Sequence, residues 1–144
     1  MKSEENIKSQ LARYMQCFNN QCNKREHCLR YNLTEVDTSD VPCISIFNPV
    51  CYPKKGEDCS FFRTNKKIRM AWGFKNLYDD MPARIAHAIH LSLESFFGHT
   101  SYYRYRNQKL GLTPQQQERI RQICLRHGWK EEITFERYTE EYDW

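Results

Sequence analysis

Five of the six cysteines between residues 17 and 59 are the side chains in this sequence best suited to chemistry. Cys17, Cys22 and Cys28 are separated by four and five residues, and Cys51 and Cys59 by seven. Thiolates are soft ligands, and two short clusters on separate loops can supply the four donors of a tetrahedral zinc site. A metal bound there would add folding free energy to a segment that has few aliphatic residues. Zinc is therefore the predicted cofactor, and these five cysteines are its candidate ligands.

Two alternatives to zinc stay open for this cysteine pattern. An iron–sulfur cluster also binds cysteine thiolates that are carried on loops of variable length. Alternatively, the thiols are buried or incidental, because free cysteine often behaves as a small apolar residue. Five candidates for four ligand positions leave one cysteine over. Cys43, in a strand-like run, and Cys124, on the apolar face of a predicted helix, are interpreted as core residues.

A basic and aromatic segment is the second candidate site. Residues 99–109 interleave tyrosines, arginines and amides, a mixture that suits phosphate contacts and base stacking. The order of helix, glycine-containing break, short helix and capped helix resembles the helix-turn-helix of small repressors. The pattern predicts binding to nucleic acid, with duplex DNA as the ligand. The residues predicted to make the contacts are Thr100, Tyr102, Arg104, Arg106 and Lys109.

Charge is segregated along the chain, although the net charge is only +4. Residues 60–130 carry a net charge of +9, and residues 131–144 carry −5. Such a basic segment attracts an anionic partner, unless the acidic tail covers it. The alternative to DNA binding is thus a zinc-stapled adaptor that meets an acidic protein partner. A small iron–sulfur or redox protein is the third function considered.

Known catalytic motifs are absent from the sequence. It contains no glycine-rich phosphate loop, nucleophile elbow or HExxH pattern, so no catalytic residue is assigned. His87, His90 and Glu94 fall on one face of a predicted helix. That face lies beside the apolar stripe, where solvated polar residues belong. We therefore expect these three side chains to be dispensable.

Helices are the elements expected to position most of these residues. Helical periodicity occupies five segments, at residues 1–16, 65–78, 82–98, 100–107 and 113–128. The last begins with a capping box, in which Thr113 is the N-cap and Gln116 the third helical residue. The predicted fold is mainly α, with four or five helices and a small cysteine-rich, metal-bound module near the N-terminus.

Three segments are predicted along the chain. Residues 1–62 form a lead helix and the metal-binding module, residues 63–130 a basic helical domain, and residues 131–144 an acidic aromatic tail. No stretch approaches the length of a membrane span, and nothing resembles a signal peptide. We expect a cytoplasmic protein with no membrane partner. In that reducing compartment clustered cysteines bind metals more often than they form disulfides.

Several short motifs give the chain a resemblance to a known family. They are CFNNQC at 17–22, CLR at 28–30, NPVCYP at 48–53, DCSFFR at 58–63, AWG at 71–73 and YTEEYDW at 138–144. On these residues the chain resembles a family of small cysteine-rich bacterial proteins, domain of unknown function 6078, over nearly its whole length. The resemblance implies relatives with the same cysteine framework, and it implies no activity.

Overall fold

The computed structural model describes residues 2–144 and the side chains of residues 7–144. Within this part of the chain there are five α-helices and one two-stranded antiparallel sheet. The helices are α1 (Lys2–Leu11), α2 (Leu29–Asn32), α3 (Ala83–Phe97), α4 (His99–Arg106) and α5 (Pro114–Arg126). The strands are β1 (Lys67–Trp72) and β2 (Arg137–Tyr142). Short 3-10 helices lie at Arg25–His27, Leu33–Glu35 and Pro49–Cys51.

The predicted fold class is wrong in two respects. Helix covers 39% of the chain, and strands occupy part of a predicted helix and part of the predicted tail, so the protein is not mainly α. The metal-bound module is contradicted as well. Among residues 2–144, no group of three or more His, Cys, Asp or Glu side chains is arranged to hold a metal ion. The cysteine-rich segment instead consists of turns, short 3-10 helices and α2.

Strand β1 occupies residues whose periodicity predicted a helix. Ile68 and Met70 are partly buried while their charged neighbours are exposed, which is the alternation of a strand. Ala71 is completely buried and exchanges two backbone hydrogen bonds with Leu112, at 3.0 and 2.8 Å. On β2, 67 residues further along the chain, Thr139 accepts a hydrogen bond from β1. Because these partners are distant in sequence, the local pattern did not reveal the strand.

The chain divides into two compact units. The N-terminal unit comprises Met1–Lys67 and Tyr142–Trp144, and the C-terminal unit comprises Ile68–Glu141. The N-terminal unit has a small core of three buried leucines with partly buried side chains around them. These residues are Leu11, Leu29 and Leu33, surrounded by Ile7, Tyr14, Val36, Tyr142 and Trp144. Little aliphatic packing is therefore present around its cysteines.

The C-terminal unit has the larger core, built by β1, α3, α4 and α5. Its completely buried residues are Ala71, Ile89, Leu93, Tyr102, Leu112, Ile120 and Cys124. Gly98 ends α3 with a φ of 83°, a left-handed conformation that glycine adopts without steric cost. The same residue directly precedes α4, so α3 and α4 lack the three- or four-residue turn of a helix-turn-helix.

Helix α5 begins as the sequence predicted. The Gln116 backbone N–H donates to Thr113 Oγ1 at 3.4 Å, and the Thr113 N–H donates to Gln116 Oε1 at 3.0 Å. Both halves of the capping box are therefore present, and this prediction is confirmed. Of the helices in the part of the chain that the structure describes, none combines the length and apolar character needed to cross a membrane.

Candidate functional site

A cavity of about 450 Å³ in the N-terminal unit collects most of the predicted cysteine ligands. Cys17, Cys22, Cys28 and Cys59 all line it. Cys51 is exposed in a 3-10 helix and is not part of the lining. The structure thus brings four of the five candidate cysteines to one cavity and leaves out the fifth. Their spacing in the sequence did not show which four would lie together.

Arg30 ties together the segments that carry two of these cysteines. Its backbone oxygen accepts a hydrogen bond from the Cys17 N–H at 3.0 Å. Its guanidinium donates to the carbonyl oxygens of Met15 and Phe61, both at 2.8 Å. Phe61 lies two residues beyond Cys59 and Met15 two residues before Cys17, so one side chain connects the Cys17 and Cys59 segments.

Cys22 and Cys28 are positioned by the backbone of the turn between them. The Arg25 N–H donates to the Cys22 carbonyl at 3.3 Å, and the Cys28 N–H donates to the Arg25 carbonyl at 3.2 Å. Cys28 also forms an antiparallel bridge with Thr64, and it is the most buried of the four thiols. Local hydrogen bonding therefore brings these two cysteines to the same cavity.

Cys17 is close enough to the other three cavity thiols for them to affect its ionisation. The pKa of Cys17 is raised, and burial is the largest cause. A backbone hydrogen bond at Asn19 acts in the opposite direction. Negative charge on neighbouring thiolates adds to the rise, and these neighbours are Cys28, Cys22 and Cys59. A positively charged occupant among them would reverse this effect and favour the thiolate forms.

Aromatic and basic side chains complete the lining of the cavity. The aromatic residues are Tyr31, Phe47, Tyr52, Phe61 and Phe62. The basic residues are Lys24, Arg25, Arg30, Lys54 and Lys55, against one acidic residue, Glu57. The basic lining suits an occupant that, together with its thiolate ligands, carries a net negative charge. These residues were not predicted from the sequence, although several of them stand beside cysteines in it.

The predicted nucleic-acid residues lie at different depths on and after α4. Thr100, Arg104 and Lys109 are exposed. Tyr102 is completely buried, and its ring is therefore not placed to stack on bases. Arg106 is partly buried, and its Nε has no hydrogen-bond partner among the described residues. DNA binding through this segment stays a prediction, with three of its five residues accessible.

His90 and Glu94 are paired rather than simply solvated. His90 Nε2 lies 3.0 Å from one oxygen of Glu94, and the Tyr102 hydroxyl lies 3.3 Å from His90 Nδ1. The other Glu94 oxygen contacts His99, whose hydrogen bond is the main reason that the pKa of the Glu94 carboxyl is lowered. His87 is exposed, as expected for a polar face. The dispensability of the trio stays a prediction, although two of its members make specific contacts.

The remaining cysteines divide between surface and core. Cys43 is exposed, so its predicted place in a core is wrong. Only one isolated bridge, between Gln16 and Ile46, forms near that strand-like run among the described residues. Cys124 is completely buried on α5, as predicted, and burial raises the pKa of its thiol to about 11.

Comparison with known proteins gives a family and no activity. The family model named "Family of unknown function (DUF6078)" matches residues 1–144, which confirms the resemblance expected from the short motifs. No curated protein and no solved structure matches the chain. The chain therefore belongs to the family of unknown function DUF6078.

Proposed function

We propose that this protein is a small iron–sulfur protein that holds a cluster in the cavity of its N-terminal unit and carries electrons. The observation behind the proposal is that Cys17, Cys22, Cys28 and Cys59 line one cavity of about 450 Å³. Four cysteine thiolates are the ligand set of a [4Fe–4S] cluster. Electron transfer is the class of function that such a group supplies without any further catalytic side chain.

A cluster and a single zinc ion place different demands on the positions of four cysteines. Zinc needs its sulfur ligands at about 2.3 Å from one point. Within residues 2–144 no group of three or more His, Cys, Asp or Glu side chains is arranged to hold a metal ion, so the cavity thiols would have to move to bind either zinc or a cluster. A cluster is several atoms across, so its four cysteines surround a volume. The cavity of about 450 Å³ that the four cysteines line supplies such a volume.

The charge of the lining supports the same proposal. A cluster with four thiolates carries net negative charge, and the cavity has five basic residues against one acidic residue. Lys24 is paired with Asp58 at 3.2 Å, while Lys54 and Lys55 are exposed at the cavity. Positive charge and hydrogen bonds near a cluster raise its reduction potential, because they stabilise the more negative reduced state.

The reducing cytosol is part of the proposal. All seven cysteines are free thiols in the structure. Thiols stay reduced in the cytosol, and reduced thiols are required to bind iron. An oxidising compartment would instead convert neighbouring cysteines to disulfides before a cluster formed.

The proposal is tested by reconstituting the full chain without oxygen, using ferrous iron and sulfide. We expect a brown protein with broad visible absorbance and about four iron and four sulfide ions per chain. Dithionite should bleach the absorbance and produce an electron paramagnetic resonance signal. The Ala variants of the four cavity cysteines should each lose most of the bound iron.

Cys51→Ala is the matched control, because Cys51 belongs to the same sequence pattern but lies outside the cavity. It should keep the full iron content. Circular dichroism of each apo variant separates loss of the ligand from loss of the fold. One tightly bound zinc ion per chain with no visible absorbance after reconstitution would overturn the proposal. An equal loss of iron in Cys51→Ala would overturn the assignment of the four ligands.

A further inference from the structure

Five side chains of the C-terminal unit form one continuous chain of hydrogen bonds. The hydroxyls of Tyr78 and Tyr102 are 2.8 Å apart, and the Tyr102 hydroxyl is 3.3 Å from His90 Nδ1. His90 Nε2 is 3.0 Å from Glu94, whose second oxygen contacts His99. Tyr102 is completely buried, whereas the His99 side chain is 72% exposed. The chain therefore leads from the core of the unit to solvent.

The direction of every bond follows from what each group can donate. A carboxylate only accepts, so His90 Nε2–H donates to Glu94. Neutral His90 then has an unprotonated Nδ1, which accepts from the Tyr102 hydroxyl. The oxygen of Tyr102 is left to accept from Tyr78. The pKa of Tyr78 is raised in keeping with this donor role, first by burial and next by its hydrogen bond to Tyr102.

Protonation of His90 is incompatible with that direction. An imidazolium has two N–H donors and no acceptor, so Nδ1–H must donate to the Tyr102 oxygen. Tyr102 is buried, and the Tyr78 oxygen is the other hydrogen-bond partner of its hydroxyl among the described residues. The Tyr102 hydroxyl therefore donates to Tyr78, and the Tyr78 hydroxyl hydrogen turns away from Tyr102. The heavy atoms keep their positions while two hydroxyl hydrogens reverse.

Tyr78, the last residue whose hydroxyl reverses, lines a second cavity. It has a volume of about 290 Å³, and its lining consists of Tyr78, Ala86, His87, His90 and Leu91. When His90 is neutral, Tyr78 donates its hydroxyl hydrogen to Tyr102, and its oxygen has only lone pairs left for any other partner. When His90 is charged, Tyr78 has a hydroxyl hydrogen to offer instead.

We propose that this chain is a proton-triggered switch, in which protonation of His90 reverses the hydroxyls of Tyr102 and Tyr78 and changes Tyr78 from an acceptor to a donor at the cavity. Imidazole is the side chain suited to this role, because its charge changes between about pH 5 and 8. The other titratable or charged groups around the chain are His87, Tyr103, Arg106 and Cys124. The switch lies in the C-terminal unit and does not depend on the proposed cluster.

Nuclear magnetic resonance of the full chain tests the switch. The imidazole nitrogens of His90 and the Cζ carbon of Tyr78 are followed through a pH titration. At high pH we expect His90 to be protonated at Nε2 only. The Tyr78 resonance should shift with the same midpoint as His90. In Tyr102→Phe the Tyr78 response should shrink to the direct effect of the His90 ring, whose centroid is 6.0 Å from that of Tyr78, because the hydroxyl link between them is missing.

His87→Gln is the matched control, since His87 lines the same cavity but lies outside the hydrogen-bonded chain. It should leave the two titrations coupled. Glu94→Gln provides a second variant if Tyr102→Phe does not fold. It should move both midpoints together to lower pH, because the charged imidazole loses its carboxylate. A Tyr78 resonance that ignores the His90 titration, or midpoints that separate in Glu94→Gln, would overturn the proposal.

Discussion

At the scale of single residues, the seven cysteines differ in accessibility, and burial raises the pKa of two of them. Cys43 and Cys51 are exposed, whereas Cys124 is completely buried with a pKa raised to about 11. Cys17 lies between these extremes, and its pKa is also raised. Because the thiolate is the reactive form, burial and a raised pKa both slow alkylation. Residue type alone therefore does not predict which cysteines are chemically available.

These differences predict the order of alkylation in the metal-free protein. With iodoacetamide near pH 8, Cys43 and Cys51 should react first and Cys17 more slowly. Cys124 should stay unmodified until the fold is opened by denaturant. Mass spectrometry of peptides at increasing times measures the order. Cys124→Ala should remove the protected thiol and leave the other rates unchanged, and modification of Cys124 as fast as Cys51 would contradict its buried position.

At the scale of elements, β1 is defined by its partner rather than by its own sequence. The Trp72 indole N–H on β1 donates to Thr139 Oγ1 on β2 at 2.8 Å. The Arg137 guanidinium lies over the Trp72 ring, 4.7 Å from its centroid. These cross-strand contacts, together with the backbone ladder, hold residues in a strand although their apolar spacing also suits a helix.

The pairing of β1 with β2 predicts an energetic coupling between Trp72 and Thr139. Trp72→Phe removes the N–H donor, and Thr139→Val removes the acceptor while keeping a similar shape. Each change should cost roughly 0.5–1.5 kcal/mol, and the double variant should cost less than the sum of the two. Urea unfolding of the four proteins measures the coupling free energy. Additive costs would show that the hydrogen bond contributes nothing.

At the scale of the whole molecule, the last three residues belong to the N-terminal unit. Trp144 packs edge-on against Tyr14, with ring centroids 5.1 Å apart. Tyr142 packs against the same small core, and the Lys67 ammonium lies 5.4 Å from its ring. Since that core has only three fully buried leucines among the described residues, two aromatic side chains form a large part of it.

A chain that ends at Glu141 should therefore lose stability in its N-terminal unit. Removing two partly buried aromatic side chains should cost roughly 1–3 kcal/mol of unfolding free energy. Amide hydrogen exchange of α2 and the Leu11 region measures the effect, because faster exchange there reports local opening. Asp143→Ala is the control, since this exposed residue between them should change stability by less than about 0.5 kcal/mol. Unchanged exchange in the shortened chain would contradict the contribution of the terminal aromatics.

The sequence by itself determined the features that depend on neighbouring residues. Thr113 and Gln116 cap α5 because the two residues lie within one helical turn of each other. Gly98 ends α3 because its left-handed conformation is a property of the residue. Cys124 lies in the core because it falls on the apolar face of its own helix. Each of these signals is complete within a few residues, so no knowledge of the fold was required.

Only the tertiary structure decided the features that join distant segments. Cys59 lines the cavity and Cys51 does not, because the Arg30 side chain binds the backbone carbonyl of Phe61, two residues beyond Cys59. The tertiary structure made a strand of β1 through a partner 67 residues away, and it turned Tyr102 inward to meet His90. Residue type and spacing along the chain show which side chains are candidates for a binding site or a core. Contacts between segments select among them, because burial, pairing and hydrogen bonding depend on distance in space.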